Sequence, residues 1–187
     1  MRRSMTPAVH AANSLHESAH AVTAVLLGAR VTEVRLIDDD RAPRGGWCEY
    51  AIPAGVRVPE REIIFAGPWA DARFTMRRRP DHAAIRAALA GSCDSDDLDA
   101  EAPPGGAGLP LGIIPTLEAL WRPAIVPLAK LLCETGTLGH RDIADALGVN
   151  VLDGPITASL AGPDKVWNLT LRVPVLRSPV DAVASRR

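Results

Sequence analysis

The chain has 187 residues, 47% of them hydrophobic and 23% charged, with a formal net charge of -1. That length suits one domain with a real core, or one domain plus a tail, and the near-neutral balance offers no electrostatic basis for a nucleic-acid or anionic-membrane partner. Three widely separated cysteines, Cys48, Cys93 and Cys133, with no C-x-x-C, argue against a disulfide framework or a cysteine-built zinc site and suit a reducing, cytoplasmic setting.

The first element is predicted as a helix over residues 8–27, opened by Pro7 and ended by Gly28. Leu15, Ala19, Val22 and Leu26 form its apolar stripe. Within it, residues 16–20 read His16-Glu17-Ser18-Ala19-His20, an H-E-x-x-H pattern. Positions i and i+4 of a helix share one face, so His16 and His20 can put two imidazole nitrogens on one metal ion. Glu17 stands beside them as a general base for a metal-activated water. Set against this is a plain reading: a helix face that happens to carry two histidines and a glutamate.

Residues 31–37 and 47–52 alternate as strands and are expected to pair antiparallel across a polar turn containing Asp38, Asp39 and Asp40, read as a solvated tip. A small-residue helix is expected from about Pro59, with Glu60 and Glu62 in its first turn, and Pro68 should kink or split it. Arg77, Arg78 and Arg79 read as a solvated helix end, and a short helix is expected over 81–89. The acidic stretch 91–102 follows. Residues 115–134 have helical period, bent by Pro123 and Pro127, and 140–147 form a last short helix before Gly148. Beyond 149 the pattern becomes irregular, with one strand expected over 166–173 and a loose tail from 176. The expected organisation is therefore a mainly α domain with a small β-hairpin (α+β) over 1–148, and an irregular or strand-containing extension over 149–187.

A catalytic zinc usually takes three protein ligands. Candidates for the third are His82, His140 and the aspartates of the 94–99 cluster, among them Asp94, Asp96 and Asp97. A lone helical histidine is more often a surface or capping group.

Three segments, in order, resemble the zinc-peptidase domain of the FtsH-type membrane AAA+ proteases. His16-Glu17-Ser18-Ala19-His20-Ala21 is similar to that family's H-E-x-G-H-A. Ile63-Ile64-Phe65-Ala66-Gly67-Pro68-Trp69-Ala70-Asp71 is similar to its A-G-x-x-A-E helix. Ser95-Asp96-Asp97-Leu98-Asp99 is similar to its S-N-D-[I/L]-E segment. The resemblance spans about residues 10 to 135. Ala19 and Asp71 stand where the family has Gly and Glu. The resemblance implies Zn²⁺ held by His16, His20 and Asp97, with Glu17 as catalytic base, and hydrolysis of peptide bonds. One of the two strands would hold an extended substrate by edge pairing. No P-loop motif occurs, no apolar h-region follows the N-terminus, and the run 21–29 is too short to span a bilayer. The expected substrates are therefore unfolded polypeptides, or ones delivered by a separate ATPase or adaptor, with no membrane segment.

Two other readings stand beside the peptidase. One is a zinc-binding interaction module without turnover. The other is a DNA-binding regulator, suggested by the helix–turn pattern of 141–150, although Gly154-Pro155 would break a recognition helix and no basic residues follow.

Overall fold

A computed structural model describes residues 6–37, 45–103, 106, 108–148, 156–161 and 166–171. The architecture is α+β, mostly helical around a small antiparallel sheet.

Helix α1 (Pro7–Leu26) starts where expected: Thr6 caps it by accepting from Val9 N–H, and Pro7 supplies a preset φ in the first turn. It stops at Gly28, whose φ of 95° is a backbone state that L side chains rarely adopt. From Ser14 onward α1 is buried on nearly all sides. The expected stripe of Leu15, Ala19, Val22 and Leu26 lies in the core, and so do Ser14, Ser18 and Thr23 on other faces. The helix is thus the axis of the domain, and its many small residues let neighbours approach closely.

Strands β1 (Arg30–Leu36) and β2 (Gly46–Ala51) pair antiparallel. The two-residue strand β3 (Thr137–Leu138), unforeseen from the sequence, pairs with the other side of β1, giving the order β2-β1-β3. Strand β1 is therefore interior, and among the described residues no strand pairs with the other side of β2. Residues 38–44 between the strands, with the three aspartates, lie outside the described residues.

Helix α2 (Glu60–Met76) packs along α1. Pro68, expected to kink or split this helix, does not split it: the helix runs through. Proline removes one backbone donor and costs about 3 kcal/mol inside a helix. Burial of Ile63, Phe65, Ala66, Trp69 and Ala70 on the same helix is large enough to offset this. Trp69 is fully buried and meets Trp121 edge to face, with ring centroids 5.7 Å apart.

Helix α3 (His82–Ala90) is capped by the Asp81 carboxylate accepting from Ala84 N–H. The acidic stretch folds as the short helix α4 (Asp94–Ala100), set against α2 and α3. A 3₁₀ turn (Leu111–Ile113) leads into α5 (Ile114–Leu120), a π turn (Trp121–Ile125) and α6 (Val126–Thr135). The wide turn falls at Pro123, one of the two prolines expected to bend this segment. The run Leu111–Thr135 is long and apolar enough to cross a membrane by length and composition, which the sequence reading did not anticipate. In this fold its apolar side chains Leu117, Leu120, Ile125, Leu128 and Leu132 are core, while Arg122, Lys130 and Glu134 face outward.

Helix α7 (His140–Ala146) buries Ile143 and Ala144 against α1 and α6. The segment where a recognition helix would have to follow lies outside the described residues. Strands β4 (Ile156–Ala161) and β5 (Val166–Leu171) form a two-stranded antiparallel sheet. The second coincides with the expected strand; the first was not foreseen. The expected tail from 176 lies outside the described residues.

Candidate metal centre

Two helices present matched four-residue spacings to each other. On α1 these are His16 and His20; on α2 they are Ile63, Gly67 and Asp71. His16 Nδ1 lies 2.8 Å from Asp71 Oδ2, and His20 Nδ1 lies 2.7 Å from the backbone carbonyl of Ile63. Both acceptors call for the Nδ1–H form of the ring. Both Nε2 lone pairs are thereby directed into the space between the helices, the arrangement typical of metal-ligating histidines.

The third group in that space is Asp94, the first residue of α4. Its Oδ2 lies 2.9 Å from His16 Nε2 and 3.6 Å from His20 Nε2, and the two Nε2 atoms are 3.0 Å apart. Tetrahedral zinc with bonds near 2.0–2.1 Å would separate its ligand atoms by about 3.3–3.4 Å, so the three observed spacings bracket the required one. Ser92 holds the carboxylate: its hydroxyl donates to Asp94 Oδ2 at 2.7 Å and accepts from Asp94 N–H at 3.0 Å.

Three electron-rich atoms this close repel unless a cation sits among them. A proton is one such cation. Burial alone would lower the basicity of His16, but hydrogen bonds and charge from Asp71 and Asp94 outweigh it and raise its pKa from 6.5 to about 10. Burial likewise opposes ionisation of Asp94, but the two imidazoles overcome it and hold the carboxyl far below the usual range. A divalent metal is the other such cation, and two imidazoles with one carboxylate are a donor set that suits zinc.

Gly67 bears on whether an ion fits. A Cβ at this position would lie 2.5 Å from His16 Nε2 and closer still to His20 Nε2. Its missing side chain keeps open the space toward which the ligand atoms point. The residues present therefore fit a zinc ion.

Glu17 lies against the start of β2, where a Cβ on Gly46 would meet its Cγ at 2.9 Å and its Oε1 at 3.1 Å. Its carboxylate is buried, and this burial raises its pKa although the two histidines pull it down. A carboxylate made more basic by desolvation is suited to accept a proton. Cys48 lines the same cleft, and burial with the charge of Glu17 pushes its thiol up, so it stays protonated.

The cleft has a volume of about 520 Å³ and runs between α1, β2, α2 and α4. Asp97 lines it, three residues beyond Asp94 on α4, but the atoms brought together with the histidines are those of Asp94. The expectation of Asp97 as third ligand thus gives way to Asp94. The reason is local: α4 points its first residue at the histidine pair, and Ser92 fastens that residue there. A signal was present, because the S-x-D pattern occurs twice, as Ser92-Cys93-Asp94 and as Ser95-Asp96-Asp97. Asp96 and His82 are exposed and do not line the cleft, and His140 lies at the start of α7, also outside it. Sequence reasoning missed the parts played by Ser92 and Gly67, and treated Asp71 only as a family departure.

Comparison with protein-family models and with curated proteins finds no match.

Asp94→Ala should cut zinc affinity by at least an order of magnitude while Asp97→Ala retains it, as measured by metal content after dialysis against a competing chelator. Gly67→Ala should likewise purify with little or no zinc yet keep its helical circular-dichroism spectrum. In protein stripped with EDTA, the His16–Asp94 pair should stabilise fully only between the unfolded-state pKa values, 3.8 for Asp94 and 6.5 for His16. The raised His16 pKa makes its contribution fade as pH climbs from 6.5 through about 10, and the depressed Asp94 pKa makes its contribution fade as pH falls below 3.8. The Tm difference between wild type and Asp94→Asn should therefore shrink as pH rises from 6.5 to 10; a constant difference would contradict this pairing.

Proposed function

We propose that this chain is a zinc-dependent metallopeptidase that hydrolyses peptide bonds in unfolded or partner-delivered polypeptides. The observation that carries the reading is the convergence of His16 Nε2, His20 Nε2 and Asp94 Oδ2 on one point, with Glu17 beside them and an open cleft in front. The resemblance of its three segments to the FtsH-type peptidase domain supports the same reading.

In this proposal His16, His20 and Asp94 hold the ion, and Asp71, the Ile63 carbonyl and Ser92 orient those ligands. When bound, zinc supplies Lewis acidity toward a water and a peptide carbonyl. Glu17 takes the proton from the attacking water and returns it to the leaving amine. Its buried site against Gly46 keeps bulk water from competing for that carboxylate.

An extended polypeptide can add to the edge of β2, which no strand among the described residues covers and which borders the cleft at Gly46, Trp47, Cys48 and Tyr50. Strand β1, the other candidate from sequence, is paired on both sides. Glu60, Asp97 and Glu101 also line the cleft, and among the described residues no lysine or arginine does. Its field favours cationic segments over acidic ones. The substrates proposed are segments already unfolded or supplied by a partner.

Glu17→Gln should lower hydrolysis of an unstructured, fluorescence-quenched peptide by about a hundredfold or more while leaving zinc content at one per chain. Unchanged turnover would remove Glu17 from the mechanism. Absence of hydrolysis by zinc-loaded wild type across a diverse peptide library would favour a zinc-binding module without turnover.

A further inference from the structure

Three elements line the cleft as it runs away from the metal centre. On α2, Glu60 lies seven residues before Gly67, two turns along the same helix face. Beyond α4, Glu101 follows Asp94 by the same seven residues. On β2, Gly46, Cys48 and Tyr50 alternate onto the side that borders the cleft. Two helical turns cover about 10 Å and four strand residues about 13 Å, so Glu60, Glu101 and Tyr50 are carried a similar distance from the histidine pair. They meet there. The Tyr50 hydroxyl donates to Glu60 Oε2 at 3.5 Å, and burial together with the charges of Glu60 and Glu101 pushes its pKa up to about 12.

The two carboxylates are available to a cation. Among the described residues neither forms an ion pair, and Arg61, next to Glu60 in the chain, donates to the Gly108 carbonyl at 3.1 Å. The stretch between them and the metal centre is lined in part by Cys48, Ile64 and Ala100. At its other end Glu17, only 7% exposed, faces the same cleft and accepts no hydrogen bond from the described residues. A buried carboxylate left open on its cleft side marks a place where a ligand supplies the donor. A long basic side chain matches this graded lining, with its methylenes on the apolar wall and its charged head at the carboxylates.

We infer that Glu60 and Glu101 form a subsite that reads a lysine or arginine side chain of the bound polypeptide, within about four residues of the bond facing Glu17. The general preference for cationic segments becomes a requirement at one substrate position. Its placement relative to the scissile bond rests on the peptidase reading, whereas the charge preference is a property of binding and holds without turnover.

The test uses the full chain loaded with zinc in the Glu17→Gln background. Its probes are unstructured fluorescent peptides, acetylated and amidated at their ends, in which lysine, arginine, norleucine or glutamate is moved through each position. Fluorescence anisotropy should find one position where lysine or arginine binds about three- to tenfold more tightly than norleucine, a gain that shrinks as salt is raised. In the double variant Glu60→Gln, Glu101→Gln the gain should vanish while norleucine affinity, metal content and Tm stay unchanged. In Glu60→Lys, Glu101→Lys, glutamate should become the preferred residue at that same position, a reversal that a merely structural role would not produce. No position with a charge preference, a preference for lysine that survives both double variants, or a gain confined to peptides with a free N-terminal amine would overturn the inference, whether or not wild type hydrolyses peptides. No peptide binding at all would also overturn it. A lysine preference that both double variants abolish, without hydrolysis of any peptide by zinc-loaded wild type, would overturn only the peptidase reading.

Discussion

Everything at the centre depends on the close approach of α1 and α2. An imidazole has two nitrogens, and a ring can present one lone pair reliably only if the other nitrogen is tied down. Helix α2 ties down both rings at once, with the Asp71 carboxylate for His16 and the Ile63 carbonyl for His20. A backbone carbonyl has two lone pairs, so the Ile63 carbonyl can accept from His20 as well as within α2. Between the two anchors, Gly67 lets the helices come together without filling the space that the ring nitrogens face. The small residues Ala19, Ala66 and Ala70 extend the same closeness along the packed faces.

That closeness has an electrostatic cost, and the cost explains the chemistry. Glu17, His20 and Asp94 are all buried, and taking such groups from water is unfavourable unless each finds a partner. Asp94 and His16 find each other when a proton is shared between them, which explains why one pKa is driven down and the other up. A divalent cation satisfies the same three atoms more completely. Glu17, set slightly apart against Gly46, keeps a carboxylate made more basic by its surroundings. One buried cluster thus combines a demand for a cation with a carboxylate of raised basicity beside it, and both face the cleft bordered by β2.

The sequence made much of this legible. The H-E-x-x-H pattern lies on a helix as its spacing requires, α1 begins at its proline and ends at its glycine, and the two principal strands pair antiparallel. These features follow from local rules that act within a few residues. Pro68 does not end α2, since burial along the helix outweighs the lost hydrogen bond. The two-residue strand β3 and the first strand of the C-terminal sheet carry too little pattern to be seen without their partners. The acidic segment is the most instructive case. It contains S-x-D twice at a spacing of three residues, less than one helical turn. No property of the segment alone distinguishes Asp94 from Asp97, because each follows a serine by two positions and each lies in the first turn of the same helix.

What the sequence by itself determined is the pair of histidines with its glutamate, because helical periodicity places residues four apart on one face whatever the rest of the chain does. Only the tertiary structure decided which carboxylate meets them. That choice depends on where α4 begins relative to α1 and on how Ser92 holds its first residue, and this placement arises from packing α4 against α2 and α3. The roles of Asp71 and Gly67 were decided in the same way: a carboxylate and a missing side chain acquire meaning only when another helix lies against them.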